Sequence, residues 1–347
     1  MKLRYNMRYL QEKSADRKPK IDLKDKKILC QLAGNARLHA TQIGKNVGLS
    51  RDVVSYRIKN LTDNGIIQGY RTVIDIKKMG YVPYHLFISL TKTTKDIEQK
   101  LIYRLSKFPF MRAVLKFAGK YDLELAFIAR NMEDLDENLN TIIEACSKYL
   151  QDYELLSISR YHKLGAFPTS FYSDCHVPAQ FEKKDYNGDF KQLIKDKKNI
   201  QILKTIADNG NLELYKIADK CKLSPDAVNY RMKKMIESGL ITKFVPVINY
   251  SALSYNIYAI LLNIQGLIKE KEKLLLNCLN EDNNILWAVK TVGKYNVLLY
   301  VCVKNADEVH NTLKNIRNTF SADIKSHETL IAYESYKYTY FPSYISI

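Results

Sequence analysis

The chain has 347 residues, 46% hydrophobic and 26% charged, which is typical of a globular protein of two or three domains. No stretch approaches roughly 18 uncharged apolar residues, and the N-terminus lacks the apolar segment of a secretory signal. We therefore expect no membrane partner and a cytoplasmic location. The net charge of +17 favours a polyanion as partner, and residues 1–65 alone contribute +9.

The six cysteines occur without a C-x-x-C pair, so we expect reduced thiols that pack as small core residues. Cys175 and His176 are adjacent, but two ligands do not make a metal site. No Ser/His/Asp, Cys/His or phosphate-loop signature occurs. We expect no metal, no cofactor and no enzymatic activity.

The chain repeats itself once, with an offset of 174 residues and without a gap. Leu49–Lys59 (LSRDVVSYRIK) matches Leu223–Lys233 (LSPDAVNYRMK), and Gly119–Asp122 matches Gly293–Asn296. A whole pair of domains is therefore duplicated. Copy one covers about 21–168, and copy two covers about 195–342.

The first part of each copy has the pattern of three short helices. In copy one, apolar residues recur at helical spacing over Asp22–Leu32, and a second helix ends at Gly48. Ser50 caps a third helix that ends near Gly65. Copy two repeats this pattern, with Ser224–Pro225 at the start of its third helix. Three helices with a tight turn before the last are typical of a helix-turn-helix DNA-binding domain.

The buried face of the third helix fixes its exposed face. Val54, Ile58 and Leu61 share one side, so the residues opposite them point outward. The N-terminal part of a recognition helix contacts base edges in the major groove. The predicted reading residues are Arg51, Asp52, Ser55, Tyr56 and Lys59 in copy one, and Pro225, Asp226, Asn229, Tyr230 and Lys233 in copy two.

Other charged residues of this helix leave alternatives open. Arg57 and Arg231 lie on its flank and suit either a phosphate contact or a structural salt bridge. Asp52 and Asp226 either accept from a cytosine amino group or stabilise the helix N-terminus. For the whole face, the alternative is a solvated polar helix surface.

The second part of each copy follows the order β–α–β–β–α–β, after a strand at 66–74 in copy one. In copy one, strands are predicted at 84–90, 111–118, 121–129 and 153–162, and helices at 95–106 and 132–149, with a hairpin about Gly119–Lys120. This is the ferredoxin-like order, an open sheet with helices on one face, which makes the fold class α+β. A second copy usually covers the other face.

Each copy is therefore predicted to hold a helix-turn-helix domain followed by a ferredoxin-like domain. The predicted boundaries are an N-terminal arm at 1–20, a helix-turn-helix domain at 21–67, a sheet domain at 68–168, a linker at 169–194, a second helix-turn-helix domain at 195–241 and a second sheet domain at 242–347. The arm is basic and is either disordered or an extra contact to phosphates or a groove. Pro178 and Asn187–Gly188 favour a linker over Thr169–Phe190.

Several motifs of copy one occur in the order and at the separations of one protein family. They are Ile21–Leu29, Asn35–Arg37, Gly48–Ser50, Arg57–Leu61, Asn64–Ile67 and Gly119–Asp122. They resemble the Lrp/AsnC (feast/famine) transcriptional regulators over essentially all of copy one and, more weakly, over copy two. The resemblance implies a winged helix-turn-helix joined to a βαββαβ (RAM-type) domain, double-stranded DNA as partner, sheet-to-sheet dimers and homo-oligomers.

The resemblance also implies an effector, an amino acid or a related small metabolite, bound near the Gly-x-x-Asp turn. The implied residues are Gly119, Tyr121 and Asp122, with Gly293 and Asn296 as their counterparts. Copy two departs from the pattern because Asn296 cannot pair with an ammonium group as the Asp122 carboxylate can. A plain hairpin turn is the alternative at both places.

Most members of the family carry one unit per chain, whereas this chain carries two. We expect the two halves to pack their sheets together as an internal pseudo-dimer, with two readers one or a few helical turns apart along one DNA face. Because the two reading faces differ, a non-palindromic operator is predicted. Effector binding is then expected to change the spacing or the oligomeric state.

Two other functions stay open at this point. The tandem architecture also resembles the sirohaem decarboxylases, whose site would need His and Arg groups in the sheet cleft. His85 and His162 lack obvious partners, and copy two has Ala259 and Tyr336 in their places. An architectural DNA-packing protein is the other alternative, and it would discriminate little between random and selected DNA.

Overall fold

The computed structural model describes residues 8–9, 19–175 and 190–345. Its α-helices are α1 (Leu23–Gly34), α2 (Ala40–Val47), α3 (Arg51–Asp63), α4 (Lys95–Lys107), α5 (Met132–Cys146), α6 (Thr169–Asp174), α7 (Lys197–Ile206), α8 (Leu214–Cys221), α9 (Pro225–Glu237), α10 (Lys269–Glu281) and α11 (Ala306–Phe320). Its strands are β1 (Arg8–Tyr9), β2 (Ile67–Ile74), β3 (Val82–Leu90), β4 (Met111–Ala118), β5 (Leu123–Ala129), β6 (Leu150–Leu164), β7 (Ile241–Ile248), β8 (Asn256–Ile264), β9 (Ile285–Val292), β10 (Val297–Val303) and β11 (Ile324–Tyr338).

The chain divides into two compact units, and each unit contains parts of both copies. The reader unit comprises Lys20–Val82, Glu182–Ile248 and Thr339–Ile347, and the barrel unit comprises Met1–Pro19, Pro83–Phe181 and Asn249–Tyr338. The sequence assigned β2 and β7 to the sheet domains beginning at residues 68 and 242. The structure places both strands in the reader unit, where they pair with each other.

The sheet of the barrel unit closes on itself. Copy one contributes the order β4-β5-β3-β6 and copy two the order β9-β10-β8-β11, which is the ferredoxin-like order predicted for each. The edges then join, because β6 pairs antiparallel with β9 and β11 pairs with both β4 and β8. The expected packing of the two copies' sheets takes the form of one closed ring of eight strands, joined where β6 and β11 pass from the sheet of one copy to that of the other.

The helices of the barrel unit cover the outer face of the ring. In copy two, alternate residues of β8 and β10 such as Ile260 and Leu299 pack with Leu275 of α10 and with Ile316 and Phe320 of α11. Side chains alternate along a strand, so the other residues of β8 and β10 face the interior of the ring. Each copy thus lends one sheet face to a core shared by both.

Two segments outside the predicted domains have structure in the barrel unit. Arg8–Tyr9 of the basic arm form β1 against Ser335 and Glu334, while the rest of 1–18 lies outside the described residues. Thr169–Asp174, predicted as linker, forms α6 because Phe171 and Tyr172 are buried, and the Phe171 ring stacks 4.2 Å from that of Phe167. Pro178, Asn187–Gly188 and His176 lie outside the described residues.

All six cysteines are free thiols, as the sequence predicts, and five of them are buried. The exception is Cys278, which is half-buried. The thiols thus serve as core residues of moderate size.

The turn before each third helix differs between the copies. α2 ends at Gly48, whose φ of 67° lies in the left-handed region that glycine adopts freely. In copy two the same position is Lys222, with a φ of 51°. A side chain in this region costs roughly 1 kcal/mol.

Lys222→Gly is therefore expected to raise the free energy of unfolding, by up to about 1 kcal/mol, because glycine removes this strain. The reciprocal variant Gly48→Lys should lower it by a similar amount. Urea unfolding followed by circular dichroism measures both. Equal stabilities for the Lys222→Gly variant and the parent would contradict this account of the turn.

Lysines of the two long terminal strands cap helices of the opposite copy. Lys163 Nζ on β6 donates to the carbonyls of Leu279 and Asp282 at the end of α10, at 2.8 and 3.0 Å. Lys337 Nζ on β11, at the equivalent position, donates to Ser106 and Phe108 at the end of α4. The capping is reciprocal, so it ties each copy's last strand to the other copy's helix.

Burial lowers the pKa of the Lys163 ammonium from its ordinary 10.5 to about 8, against the opposing attraction of Asp282. Between these values the unfolded chain binds more protons than the folded one, so stability rises with pH. The contribution of Lys163 is expected to increase by about 2 kcal/mol from pH 8 to pH 10. Urea unfolding at both pH values measures it as the difference between the parent and Lys163→Met, which lacks this increase. Parallel pH profiles would contradict the expectation.

Candidate nucleic-acid interface

The third helix of copy one is held by its cap and its apolar face. The Ser50 side chain accepts from the Val53 N–H at 3.3 Å, and Val54 and Leu61 are buried. The opposite face is open, and the residues the sequence placed there are all exposed: Arg51, Asp52, Ser55, Tyr56 and Lys59. Tyr56 is 66% exposed, so its ring is accessible to a partner.

The third helix of copy two has the same arrangement. Ser224 caps it, and Val228, Met232 and Met235 are buried beneath it. Tyr230 is 63% exposed, close to the value of its counterpart Tyr56. Of the remaining predicted reading residues, Pro225, Asp226 and Lys233 are exposed and Asn229 is half-buried.

The flanking arginines are held in ion pairs. Arg57 Nη1 donates to Asp22 Oδ2 and Asp25 Oδ1, both at 2.8 Å, and so joins α3 to the start of α1. Arg231 makes the equivalent contacts in copy two, with Asp196 and the Asn199 amide oxygen. This geometry favours the structural salt bridge over the phosphate contact that the sequence left open.

Lysines of the first helices have a structural use that the sequence did not reveal. Lys24 Nζ donates to the Val47 carbonyl at 2.5 Å, and Lys198 Nζ to the Cys221 carbonyl at 2.6 Å. Each lysine therefore closes the end of the second helix of its own reader, next to the turn that leads to the third. The signal available in the sequence was the 174-residue repeat, which places a lysine at both positions.

The two readers are joined into one unit by a two-stranded ribbon. β2 pairs antiparallel with β7, and the Ala36 N–H donates to the Phe244 carbonyl at 2.9 Å. The equivalent bond runs from the Gly210 N–H to the Tyr70 carbonyl at 3.0 Å. Because the same bond occurs on both sides of the β2–β7 ribbon, it fixes the relative position of α3 and α9.

One arginine strengthens the joint, that is, the contact between the two readers at the β2–β7 ribbon, and only copy one supplies it. Arg37 Nη1 donates to the carbonyls of Gly210 and Leu212, both at 2.9 Å, and its guanidinium lies 5.3 Å from the centre of the Phe244 ring. Burial lowers the pKa of Arg37. Copy two has the exposed Asn211 in the equivalent position, so the two sides of the joint differ.

The charge of the chain is concentrated in the reader unit. Residues 20–82 and 190–248 hold 24 Lys and Arg against 11 Asp and Glu, a net charge of +13. Residues 83–175 and 249–338 of the barrel unit hold 22 against 21, a net charge of +1. A polyanion is therefore attracted to the unit that carries the two exposed helix faces.

The glycine turns of the barrel unit press against the last strand of the opposite copy. A Cβ at Gly119, where φ is 134°, would lie 2.9 Å from Leu330 Cδ2. A Cβ at Gly293, where φ is 149°, would lie 2.6 Å from the Leu155 carbonyl oxygen. The tyrosines that follow, Tyr121 and Tyr295, are buried. Both turns thus require glycine for packing.

The acidic residue of the first turn also has a structural partner. Asp122 Oδ2 accepts from the Leu90 N–H at 2.6 Å, which ties the turn to the end of β3. In copy two the Asn296 amide accepts from the Ile264 N–H at 2.9 Å and donates to the Ile264 carbonyl at 2.7 Å. These bonds give both residues the role in a hairpin turn that the sequence left as an alternative.

The two histidines that the sequence left without partners both have them. His85 Nδ1 bonds to Glu124 Oε1 in the interior of the barrel, and His162 Nε2 lies 3.7 Å from Glu272 Oε1. Each glutamate is distant in sequence from its histidine, so no local motif indicated these contacts.

Among the described residues, His, Cys, Asp and Glu form no cluster suited to a metal ion. None of the described helices is long and apolar enough to cross a membrane.

Comparison with known protein families finds the same kind of domain at both readers. A family model described as winged helix-turn-helix DNA-binding matches residues 21–68 and again residues 195–242. The transcriptional regulator LrpA of Pyrococcus horikoshii is 34% identical over 123 residues, which are 35% of this chain and 86% of that protein. The regulatory protein AsnC of Haemophilus influenzae is 29% identical over 138 residues, which are 40% of this chain and 91% of that protein.

The crystal structure of the siroheme decarboxylase NirDL matches nearly the whole length of both chains. The TM-score is 0.60, with 93% of this chain and 94% of that chain covered at 12% sequence identity. This likeness concerns the fold alone, because the identity is low. The similarity that extends to sequence is with the regulators, and it spans most of their length. The chain therefore belongs to the Lrp/AsnC family of DNA-binding transcriptional regulators.

Proposed function

We propose that the chain binds double-stranded DNA through the outward faces of α3 and α9. The observation that carries this proposal is the pair of exposed recognition helices within residues 20–82 and 190–248, which carry a net charge of +13. Arg51, Asp52, Ser55, Tyr56 and Lys59 contact one half-site. Pro225, Asp226, Asn229, Tyr230 and Lys233 contact the other.

The chemistry of the two faces differs in ways that change the base read. Arg51 presents a guanidinium, which pairs best with guanine O6 and N7, where copy two has Pro225. Asn229 presents an amide, which pairs best with adenine N6 and N7, where copy one has Ser55. We propose a non-palindromic operator with two unlike half-sites.

The flanking arginines support this function indirectly. Arg57 and Arg231 are engaged by carboxylates and an amide of the first helices. Their part in the DNA site is to orient α3 and α9. A phosphate contact at these positions would require one of these ion pairs to open.

A small effector of the amino-acid type is proposed at the first glycine turn, with Gly119, Tyr121 and Asp122 as its residues. Asp122 Oδ1 is the oxygen proposed to meet an ammonium group, since Oδ2 already accepts from Leu90. At the second turn the Asn296 side-chain nitrogen donates to the Ile264 carbonyl. We therefore propose that Gly293 and Asn296 make no charged contact with an effector. The site belongs to the barrel unit, and its occupation is proposed to change the affinity for DNA.

A regulatory rather than catalytic role is proposed for the barrel. His85 bonds to Glu124 and stacks on Trp287, with 5.7 Å between the ring centres. These contacts support a packing role for the histidine that the decarboxylase alternative would need. A regulator acting on DNA is expected in the cytoplasm, and homo-oligomers are proposed from the family.

Selection of bound sites from random duplexes at fixed low salt tests the proposal, with and without a panel of amino acids. The expected result is one enriched motif with two unlike halves, whose recovery changes with one of the amino acids. Recovery of random sequence without enrichment would support the architectural protein instead. No retention of DNA, together with haem-type absorbance after reconstitution with a tetrapyrrole, would support the enzyme.

A further inference from the structure

The interior of the barrel is built from residues that differ between the two copies. Four positions of copy one correspond, at the 174-residue offset, to four positions of copy two with unlike side chains. The pairs are His85 and Ala259, Ala113 and Trp287, Glu124 and Leu298, and Ala126 and Tyr300. All eight side chains are buried or half-buried on β3, β4, β5, β8, β9 and β10. Polar groups are thus supplied by copy one, and large aromatic groups by copy two.

These unlike residues meet in one cluster. Glu124, only 1% exposed, bonds to His85 through Oε1 and accepts the Tyr300 hydroxyl through Oε2. The His85 ring stacks on Trp287, and the Trp287 and Tyr300 rings lie 5.2 Å apart edge to face. Burial and the nearby Glu124 charge raise the pKa of Tyr300, so its hydroxyl stays a donor. The carboxylate is satisfied only because both copies contribute.

Pairing of like halves would break this cluster. Two halves of the copy-one kind would bury two Glu124 carboxylates without the Tyr300 donor and leave the space of Trp287 empty. Two halves of the copy-two kind would crowd two indoles and two phenols into a space that now holds one of each. Only unlike halves fill the interior and satisfy its polar atoms.

The outer rim of the barrel carries a second, independent asymmetry. The buried Glu272 of α10 contacts Arg160 Nη1 at 2.8 Å and Lys290 Nζ at 2.7 Å. Burial raises the pKa of Glu272, but Lys290 and Arg160 outweigh it, so the pKa lies below its usual value. Copy two has Glu334 where copy one has Arg160. Pairing of two copy-two halves would therefore bring a second carboxylate to Glu272.

We infer that the two copies have diverged into complementary partners, so that a copy-one half of the barrel selects a copy-two half and rejects another copy-one half. The cluster around Glu124 defines the partner of each half, and the ion pairs of Glu272 disfavour only a pair of copy-two halves. Because both halves belong to one chain, each half finds that partner within the same chain.

Exchange of the interior sets within the full chain tests the inference. One variant gives both copies the copy-two set: His85→Ala, Ala113→Trp, Glu124→Leu and Ala126→Tyr. A second gives both the copy-one set: Ala259→His, Trp287→Ala, Leu298→Glu and Tyr300→Ala. A third combines all eight changes, which moves each set to the opposite copy. Thermal unfolding is followed by far-ultraviolet circular dichroism.

The first two variants are expected to lose roughly 10 °C or more in Tm, or to be unfolded. The eightfold variant, in which the sets are again unlike, should recover most of that loss. A four-residue variant as stable as the parent would overturn the inference. So would an eightfold variant no more stable than the two four-residue variants.

Co-expression of the first two variants, with different affinity tags, gives a readout that does not depend on either folding alone. Each chain lacks a complementary half in itself but finds it in the other chain. The expected result is a complex of one chain of each kind, identified by tandem purification and native mass spectrometry. Separate recovery of the two chains would overturn the inference, whatever their individual stabilities.

Discussion

A chain carrying Arg51→Glu and Lys59→Glu is expected to bind duplex DNA about 10²–10³-fold more weakly than the parent. Each lost base or phosphate contact costs about 1–3 kcal/mol, and the new carboxylates face phosphates. Both side chains are exposed on α3. The Lys59–Asp63 pair is exposed as well, so its loss has little effect on stability. Fluorescence anisotropy with a labelled selected duplex at fixed salt measures the affinity.

The matched control is Lys95→Glu with Lys100→Glu on α4. These lysines are exposed, and the change in net charge is the same, but α4 belongs to the barrel unit. The control is expected to weaken binding by only a few-fold, through long-range electrostatics. Equal losses for the two double variants would mean that total charge, and not the face of α3, determines DNA binding.

Gly210→Ala is expected to lower the free energy of unfolding by about 3 kcal/mol, the upper end of the usual cost of overpacking. The added Cβ would lie 2.6 Å from both the carbonyl carbon and the oxygen of Arg71. These are backbone atoms of β2, so they can withdraw only if the ribbon to β7 shifts. The readers would then lose their fixed spacing, and affinity for DNA with both half-sites should fall with stability.

Ala36→Gly is the control, because Ala36 occupies the equivalent position on the other side of the joint. Its expected loss is at most about 1 kcal/mol, since glycine only adds freedom to the unfolded chain. Urea unfolding followed by circular dichroism compares the two. A Gly210→Ala variant as stable as the Ala36→Gly variant would show that the joint tolerates a wider spacing than the structure has.

The recognition helices were within reach of sequence reasoning because their signals are local. Ser50 and Ser224 as caps, and the apolar spacing of Val54 and Leu61, placed α3 and α9 and their outward faces. The order of strands and helices in each copy was predictable for the same reason. Each element has its own periodicity and its own turn residues.

Closure of the barrel was not predictable, because it depends on pairing between strands more than 120 residues apart, such as β6 and β9. The sequence of one strand does not indicate which distant strand it pairs with. Arg37 shows the same limit for a side chain, since it binds carbonyls of copy two whose position only the fold supplies. The role of Glu124 was equally hidden, although comparing the copies position by position would have marked it as unlike its counterpart Leu298.

The most direct test of the paired-reader account is hydroxyl-radical footprinting of the intact chain on its selected DNA, repeated with the Arg51→Glu, Lys59→Glu variant. The account predicts two protected tracts of different sequence on one face of the duplex. The variant should lose protection of one tract more than of the other. Two identical inverted tracts, equal loss of both, or no protection at low ionic strength would contradict it.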